Sequence, residues 1–250
     1  MAEKPWTRAI IVGASSGIGE ALSRQLAASG CRVALIARRQ TELDAIATQI
    51  NETTPGRAIT RVHDVTNYHE AGPLFAEIVE ELGGLDLIVY SAGIMPRYKP
   101  NEYNLDLDLA TIDTNVSGAV AWLNPAADRF GRTKSGTIIG ISSVAGERGR
   151  KGNVVYGASK AMLNAYLESL RNRISAGGAS VLTVKPGPIA TPMTEGLGKM
   201  PLMIPAEQAA SEILLAARQG ANVVFVPGPW RYIMAVVRNV PSAIFRHLNF

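Results

Sequence analysis

The chain has 250 residues, of which 47% are hydrophobic and 18% are charged, so its length and composition suit one globular domain with a sizeable core. A single cysteine, Cys31, excludes an intrachain disulfide framework and a zinc cage built from cysteines. The net charge of +4 comes from Lys and Arg residues that occur mostly singly or in pairs, which argues against nucleic-acid binding and fits an anionic small molecule equally well.

The two kinds of segment that direct a chain to or across a membrane are missing from the sequence pattern. No apolar run reaches the roughly 18–20 residues of a membrane span. The stretch Met1–Trp6 lacks the apolar core of a signal peptide. We therefore expect a cytoplasmic location.

The first predicted strand, at 8–13, runs into a glycine-rich loop. The loop reads Gly13-Ala-Ser-Ser-Gly17-Ile-Gly19, and a helical pattern follows it until Gly30. Glycines permit a tight turn and the close approach of a pyrophosphate, while the helix N-terminus offers free N–H groups and a partial positive charge. In this strand–turn–helix context the loop predicts dinucleotide binding in preference to a plain turn.

The second predicted strand, Arg32–Ala37, ends in Arg38-Arg39. An enzyme for the non-phosphorylated cofactor would place a carboxylate near this point to bind the ribose 2′-hydroxyl. Two guanidinium groups instead suit bidentate contacts to a phosphate, with Ser15 or Ser16 assisting. The pattern favours recognition of a 2′-phosphate, with Arg38 the preferred residue, over a solvated basic turn that opens the helix at 41–52.

The third strand, at 58–63, ends at Asp64-Val65, and a helix follows at about 67–81. Asp64 is expected to cap that helical region, to bind the adenine edge of a cofactor, or to do both.

The fourth strand, Leu85–Tyr90, reaches Ser91-Ala92-Gly93, where small residues would let a cofactor pass close to the backbone. A polar stretch at 96–109 then leads into a long helical segment that contains Asn115. A polar Asn within an apolar helix is costly unless its hydrogen bonds are satisfied. Its role is either a structural hydrogen bond or the binding of a water for proton relay, and the two are compatible.

The fifth strand, Thr137–Ile141, is followed by Ser143, and a glycine- and charge-rich loop leads to a helix that carries Tyr156 and Lys160. Residues at i and i+4 share one face of a helix, so the ammonium lies near the phenol without direct pairing. A positive charge nearby favours the phenolate and lowers the tyrosine pKa from about 10. Taken alone, the pattern favours a surface tyrosine beside a solvated lysine, and the catalytic interpretation gains weight only from the motifs that precede it. Ser143 can join it only if the strand end and the helix start face one cleft.

The last part of the chain completes the alternation of strands and helices. The sixth strand, Ser180–Val184, ends in a rigid turn at 185–192, at the sheet edge where ligands bind in doubly wound folds. The methionine-rich segment 193–204 fits a mobile apolar lid and an ordinary surface loop equally well. A helix at 206–219 and a short strand at 222–226 follow. The spacing predicts one parallel sheet with helices on both faces.

With these motifs assembled, the chain resembles the short-chain dehydrogenase/reductase family over about residues 7–228. The matching motifs, in chain order, are Gly13-Ala-Ser-Ser-Gly17-Ile-Gly19, Asp64-Val65, Ala92-Gly93, Asn115, Ser143, Tyr156-x-x-x-Lys160 and Pro186-Gly187. The resemblance implies one α/β Rossmann-type domain, doubly wound, with seven parallel strands in the order 3-2-1-4-5-6-7. It also implies a homodimer or homotetramer built on the helices that match 115–132 and 155–176.

The resemblance also implies a catalytic tetrad. Tyr156 would be the general acid that protonates a carbonyl oxygen as NADPH delivers hydride, and Ser143 would hydrogen-bond the same oxygen. Lys160 would bind the nicotinamide ribose hydroxyls and lower the Tyr156 pKa, and Asn115 would anchor a water relay. General acid–base positioning of this type usually contributes about 10²–10⁴-fold to rate. No metal is expected.

For the cofactor, the resemblance implies NADP(H) in preference to NAD(H). Ile189 and Thr191 would bind the nicotinamide carboxamide, while Arg38 would select the phosphorylated form. The full set of expected cofactor contacts is Gly13, Ser15, Ser16, Gly17, Ile18, Gly19, Arg38, Arg39, Asp64, Val65, Ala92, Gly93, Tyr156, Lys160, Pro186, Gly187, Ile189 and Thr191. The chain departs from the family at Val12, usually Thr, and at Tyr90-Ser91, usually Asn-Asn.

The predicted domain covers residues 1–228, and residues 229–250 form an apolar and basic extension. An apolar stripe at helical spacing lies beside two arginines until Pro241 interrupts it: Ile233, Val236, Val237 and Val240, with Arg231 and Arg238. Such a segment can pack on the domain, form a subunit contact or lie on a membrane surface. Peripheral membrane contact is the less favoured of these.

The leading functional hypothesis is NADPH-dependent reduction of a ketone or aldehyde, or oxidation of a secondary alcohol, acting on a small-molecule substrate. Alternatives within enzymes are a 3-oxoacyl-thioester reductase, for which the basic loop Arg148-Gly-Arg-Lys151 is weak support, and a lipid-linked ketosugar reductase, to which the tail bears a loose similarity. Alternatives of other classes are a non-catalytic NADP-sensing protein, which loss of Tyr156 or Lys160 would have favoured, and a membrane-peripheral scaffold.

Overall fold

A computed structural model of the protein describes residues 6–99, 101–198 and 200–248, so the expectations for the two chain ends rest partly on residues outside this range. The strands are β1 (Arg8–Val12), β2 (Arg32–Ala37), β3 (Ala58–Val62), β4 (Leu87–Tyr90), β5 (Thr137–Ile141), β6 (Ser180–Pro186), β7 (Ile189–Ala190), β8 (Ile204–Pro205) and β9 (Val223–Val226). The helices are α1 (Gly17–Ala28), α2 (Gln40–Thr53), α3 (Tyr68–Leu82), α4 (Leu105–Ile112), α5 (Gly118–Thr133), α6 (Val154–Ile174), α7 (Ala206–Arg218), α8 (Trp230–Asn239) and α9 (Ser242–Phe245).

Seven of the described strands pair in parallel to form one sheet, in the order β3-β2-β1-β4-β5-β6-β9. Because β9 is the seventh strand of this sheet along the chain, the predicted doubly wound fold and its order 3-2-1-4-5-6-7 are confirmed. The short strands β7 and β8 pair with each other and were not predicted. They bring the turn after β6 next to the start of α7.

The residues of β1 show why both faces of the sheet are covered. Ala9 and Ile11 lie in the buried cluster that contains residues of α1, α2 and α7. Ile10 and Val12 lie in the cluster that contains residues of α3, α5 and α6. Successive side chains of a strand point to opposite faces, so an apolar residue at every position is what a sheet buried on both sides requires.

The order of strands reverses at β1, and this reversal fixes where a ligand can bind. The last residue of β1, Val12, pairs with Ile36 of β2 on one side and with Tyr90 of β4 on the other. The loops that follow these three strands therefore leave the sheet side by side, at its carboxyl edge. Doubly wound folds bind ligands in the crevice at such a point.

The connection between β4 and β5 differs from the prediction in two respects. The stretch 96–109, expected to be a polar connection, already enters a helix, because the Asn104 side chain accepts a hydrogen bond from the Leu107 N–H at 3.2 Å and begins α4. The long helical segment that follows contains a π-helical turn at Asp113–Ser117, between α4 and α5. Single π-helical turns within helices are frequent at functional sites.

The C-terminal helices pack against the loop that follows β5. Trp230, Met234 and Val237 of α8 form a buried cluster with Val144. The Arg148 guanidinium donates to the carbonyl oxygen of Val237 at 2.7 Å and lies over the Phe245 ring, 4.0 Å from its centroid. Among the helices that the structure describes, none is both long and apolar enough to span a bilayer.

A buried ion pair connects the same loop to the sheet. The Glu147 carboxylate lies 2.6 Å from the Lys185 ammonium at the end of β6, with 6% and 14% of the two side chains exposed. Arg238 of α8 approaches the second Glu147 oxygen at 3.5 Å. The loop after β5 is thus fixed to β6 and to α8 through neighbouring residues.

Candidate active site

A cavity of about 420 Å³ opens at the carboxyl edge of the sheet, within the size range of small-molecule and cofactor sites. Most of the predicted site residues line it: Gly13, Ser15, Ser16, Gly17, Ile18, Arg38, Arg39, Val65, Ala92, Gly93, Ser143, Tyr156, Lys160, Pro186, Gly187, Ile189 and Thr191. Three predicted residues are not in its lining: Gly19, Asp64 and Asn115. The structure therefore brings motifs from both halves of the chain to one place.

The glycine loop is packed backbone against backbone. Gly13 has φ of +90°, and a Cβ atom at this position would lie 2.4 Å from the Ala92 nitrogen. A Cβ atom at Gly19 would lie 2.1 Å from the Gly13 oxygen, so Gly19 is needed for packing although it does not line the cavity. The N-cap residue of α1, Ser16, makes no side-chain capping hydrogen bond. The first N–H groups of α1 therefore lack a side-chain acceptor, as a site for a pyrophosphate requires.

The two arginines after β2 both line the cavity but have different partners. Arg39 donates from Nη2 to the hydroxyl oxygens of Ser15 and Ser16, at 2.8 Å each. Arg38 lies 3.5 Å from the Asp64 carboxylate, and 60% of its side chain is exposed. Arg39 is thus held across the glycine loop, whereas Arg38 extends from the strand end toward solvent.

Asp64 is engaged by the turn that precedes α3. Its Oδ1 accepts hydrogen bonds from the Thr66 N–H at 3.0 Å and from the Thr66 hydroxyl at 2.8 Å. Burial raises the pKa of Asp64, but the Thr66 hydrogen bonds and the Arg38 guanidinium outweigh it and lower that pKa below its usual value. The observed contacts give Asp64 a structural role in the turn, and its contact with an adenine remains a prediction.

Asn115 lies in the π-helical turn and is fully buried. Its Oδ1 accepts from the Ile94 N–H at 2.8 Å, and its Nδ2 donates to the Ile94 oxygen and to the Ser159 hydroxyl, at 3.0 Å each. The Ser159 hydroxyl in turn donates to the Tyr156 carbonyl oxygen at 2.7 Å. Asn115 therefore connects the loop after β4 to the helix of Tyr156, and its participation in a water relay remains a prediction.

Tyr156 and Lys160 are both buried on α6, and Ser143 precedes them at the end of β5. The Lys160 ammonium donates to the Ile141 carbonyl oxygen at 3.0 Å and lies 5.7 Å from the centroid of the Tyr156 ring. Burial lowers the pKa of Lys160 to about 8. Burial also raises the pKa of Tyr156, and the Ser143 hydroxyl and the Arg150 guanidinium oppose this increase without cancelling it. The phenol is therefore protonated near neutral pH, as a general acid must be.

Arg150 and Trp230 are among the cavity-lining residues that the sequence did not predict. In the sequence, Arg150 is one of three basic residues in the loop Arg148-Gly-Arg-Lys151. Trp230 belongs to the C-terminal extension, in which no individual residue was predicted to line the cavity. The closeness of Arg150 to Tyr156 along the chain, on the loop that enters its helix, is the signal that would have identified it. No motif marks Trp230, because its place depends on how α8 folds back over Gly187.

His63 also lines the cavity. Its ring is buried, with its edge against Trp122, and neither ring nitrogen has a hydrogen-bond partner among the described residues. Burial lowers the pKa of His63 and outweighs the raising effects of the nearby Asn67 backbone, which is not in hydrogen-bond geometry with the ring, and of the Glu70 and Asp64 carboxylates. The unfolded chain therefore binds a proton that the folded chain excludes, and the free energy of unfolding is expected to decrease as the pH falls below about 6.5.

Urea unfolding between pH 5.5 and 7.5 measures this effect. We expect His63→Phe to remove part of the pH dependence, because it keeps an aromatic ring at the same place without a titrating group. The control is His69→Gln, which removes an exposed histidine from the same region and should keep the wild-type pH dependence. Identical pH profiles for wild type and His63→Phe would contradict the prediction.

The chain is similar to known oxidoreductases of one family. The model of the short chain dehydrogenase family matches residues 7–201. An uncharacterised oxidoreductase of Staphylococcus epidermidis is 33% identical over 217 residues, which cover 86% of this chain and 92% of the relative. An uncharacterised oxidoreductase of Mycobacterium tuberculosis is 32% identical over 240 residues, which cover 95% of each chain.

Solved structures show the same architecture. A short-chain type dehydrogenase/reductase from Mycobacterium marinum superposes with a TM-score of 0.81 at 28% identity, covering 90% of this chain and 95% of that chain. The structure of ElxO with NADP bound has a TM-score of 0.82 at 20% identity, covering 91% of this chain and 99% of that chain. At 20% identity this second likeness concerns the fold alone.

Proposed function

Since the chain belongs to the short-chain dehydrogenase/reductase family and is therefore an NAD(P)-dependent oxidoreductase, we propose that it reduces the carbonyl group of a ketone or aldehyde with NADPH, or oxidises the corresponding alcohol. The observation that carries the proposal is the meeting of Ser143, Tyr156 and Lys160 in one cavity with the glycine loop. In this arrangement a proton donor and a dinucleotide site lie within the same cleft.

The residues at the glycine-loop end fit a phosphorylated dinucleotide. The N–H groups at the start of α1 have no side-chain cap, which suits a pyrophosphate. The guanidinium groups of Arg38 and Arg39 suit a 2′-phosphate, and Lys160 would bind the nicotinamide ribose. When bound, the nicotinamide supplies or accepts the hydride.

The hydroxyls of Ser143 and Tyr156 would act on the substrate oxygen. The Ser143 oxygen accepts a hydrogen bond from the Ala145 N–H at 3.0 Å, which orients the hydroxyl, and Ser143 would donate its proton to the substrate carbonyl when substrate is bound. As the carbonyl carbon gains hydride, the C=O π electrons move to the oxygen, which takes the Tyr156 proton and becomes a hydroxyl. The phenolate left on Tyr156 would be stabilised by the positive charge of Arg150, and we propose that Lys160, whose Nζ lies 5.7 Å from the centroid of the Tyr156 ring, contributes in the same way.

The proposal is tested by an NADPH-oxidation screen, followed by absorbance, against ketones, aldehydes, 3-oxoacyl thioesters and ketosugars. Turnover of any of these supports a reductase, and the preferred class selects between the simple carbonyl, thioester and ketosugar alternatives. Tight binding of NADPH without turnover of any carbonyl would instead favour a non-catalytic NADP-sensing protein.

The preference for NADPH is tested by removing each arginine after β2. Arg39→Ala is expected to raise the KM for NADPH about 10- to 100-fold, because hydrogen bonds to charged groups contribute about 1.5–3 kcal/mol, and to leave the KM for NADH little changed. Arg38→Ala is measured in parallel, since the sequence favoured Arg38 and the structure holds Arg39 across both serines.

Arg24→Ala is the control for net charge, because Arg24 lies on α1 in a half-buried pair with Glu20 and does not line the cavity. It should change neither KM. If each of the two cavity arginines affected NADH and NADPH equally, recognition of the 2′-phosphate would be rejected.

We also propose that the chain consists of one domain, residues 1–228, and a C-terminal extension from residue 229 that packs on it. The contacts of the extension with Val144 and Arg148 support this division. A homodimer or homotetramer is supported by exposed apolar side chains on α4 and α6, including Leu109, Ile112 and Met162. Light scattering after size-exclusion chromatography measures the assembly.

A further inference from the structure

Tyr90, the last residue of β4, is fully buried and places its hydroxyl against the π-helical turn Asp113–Ser117. The hydroxyl donates to the Thr114 carbonyl oxygen at 2.6 Å. A Cβ atom added at Gly118 would lie 2.7 Å from the same hydroxyl oxygen, so the phenol occupies the space that glycine leaves at the start of α5. The end of β4 is therefore connected directly to the turn between α4 and α5.

The π-helical turn explains why this carbonyl accepts from a side chain. In an α-helix the Thr114 carbonyl would accept from the N–H four residues later, which is that of Gly118. The Gly118 N–H instead donates to the Asp113 carbonyl, five residues before it. The Tyr90 hydroxyl thus takes the place of the α-helical donor. Burial raises the pKa of Tyr90, so the phenol keeps its proton and remains a donor at neutral pH.

The residue after this carbonyl is Asn115, whose amide joins two other segments of the site. It pairs with both backbone groups of Ile94, at 2.8 and 3.0 Å, and donates to the hydroxyl of Ser159, the neighbour of Lys160, at 3.0 Å. A Cβ atom added at Gly93 would lie 3.2 Å from Asn115 Oδ1 and 3.4 Å from Lys160 Nζ, so the amide oxygen and the ammonium both lie beside Gly93. The position of the turn therefore affects the surroundings of Lys160.

Tyr90 itself is not among the residues that line the cavity, whereas Thr114, whose carbonyl it contacts, is. The phenol can therefore act on a reaction in the cavity only through the turn. The sequence departs from the family at this position, where Asn is usual, and the hydrogen bond to the turn gives that departure a physical consequence.

We propose that Tyr90 is a positioning residue for the reaction: its hydroxyl holds the π-helical turn in the place from which the Asn115 amide joins the loop after β4 to the helix of Tyr156 and Lys160. This inference rests on the proposed reductase function. Without the hydroxyl, the Thr114 carbonyl would lose a buried donor, and the turn would shift to replace it. A small displacement of groups that orient the reactants is enough to slow the chemical step.

Tyr90→Phe tests the inference, because it keeps the buried ring and removes only the donor. We expect the single-turnover rate of NADPH oxidation by a carbonyl substrate to fall about 3- to 10-fold, the usual effect of one hydrogen bond. The KM values for NADPH and for the substrate should stay close to those of wild type, because Tyr90 does not line the cavity. Tyr166→Phe, which removes a hydroxyl that contacts Asn124 outside the cavity, should keep the wild-type rate.

A double-mutant cycle with Asn115→Ser separates positioning from a general loss of stability. If Tyr90 acts through Asn115, Tyr90→Phe slows single-turnover oxidation when Asn115 is present and has no further effect in the Asn115→Ser protein. Circular dichroism confirms that each variant is folded under the conditions of the assay.

Amide hydrogen exchange measured by NMR is an independent readout of the turn. The Ile94 N–H, which donates to Asn115, should exchange several-fold faster in Tyr90→Phe than in wild type and at the wild-type rate in Tyr166→Phe. Three outcomes would overturn the inference: an unchanged single-turnover rate, unchanged exchange at Ile94, or effects of the two substitutions that simply multiply. All three differ from failure of the proposed function, in which wild type itself turns over no carbonyl compound and the inference is rejected together with the reductase.

Discussion

Tyr156→Phe is expected to lower kcat for NADPH-dependent carbonyl reduction by about 10²–10⁴-fold, the usual contribution of a positioned general acid. The substitution removes only a hydroxyl group from a buried ring, so the fold and the cavity should be preserved. Steady-state kinetics on any substrate found in the screen, with fluorescence titration of NADPH, separates loss of chemistry from loss of cofactor. We expect the Kd for NADPH to change far less than kcat.

Tyr166→Phe is the matched control for this experiment. It removes a hydroxyl from the same helix, where the Tyr166 oxygen lies 2.8 Å from the Asn124 side chain and outside the cavity. It should keep wild-type turnover. Reduction by Tyr156→Phe at a rate within a few-fold of wild type would remove this phenol from the mechanism.

Glu147→Gln is expected to lower the free energy of unfolding by about 3 kcal/mol. Removing one partner of a buried ion pair leaves an uncompensated charge, at a cost of about 3–5 kcal/mol, and the lower end applies because the Lys185 side chain keeps 14% exposure. Chemical denaturation monitored by circular dichroism measures the difference. The loop that carries Arg150 should loosen in the same variant, since Glu147 connects it to β6.

Two further variants make this second prediction specific. Asp128→Asn breaks an exposed pair with Arg132 on α5 and should cost less than about 1 kcal/mol. The double variant Glu147→Gln with Lys185→Met removes both charges and should recover most of the lost stability. A Glu147→Gln protein as stable as wild type would show that the pair contributes nothing.

The sequence predicted the parts of the site that depend on local spacing. The spacing of glycines between a strand and a helix is recognisable as a dinucleotide-binding loop, and the i, i+4 relation of Tyr156 and Lys160 follows from helical geometry. Strand order followed from the family resemblance. These features need no knowledge of how distant segments pack.

The features that the sequence did not predict depend on tertiary packing. Which of two consecutive guanidinium groups crosses the glycine loop depends on the backbone at the end of β2, and the structure places Arg39 against Ser15 and Ser16. The preference for Arg38 in binding a 2′-phosphate remains a prediction. The entry of Arg150 into the cavity depends on contacts of its neighbours with β6 and α8. The π-helical turn around Asn115 likewise has no signature in residue spacing.

The contacts of Arg148 with α8, and the place of Trp230 in the cavity lining, make α8 part of the wall of the candidate active site. Purification tags, reporter fusions and truncations at the carboxyl end of the chain would disturb substrate binding even though they are far from Tyr156 along the chain. A fusion partner is better attached ahead of β1, and natural chains that diverge after β9 are expected to differ in the substrates they accept.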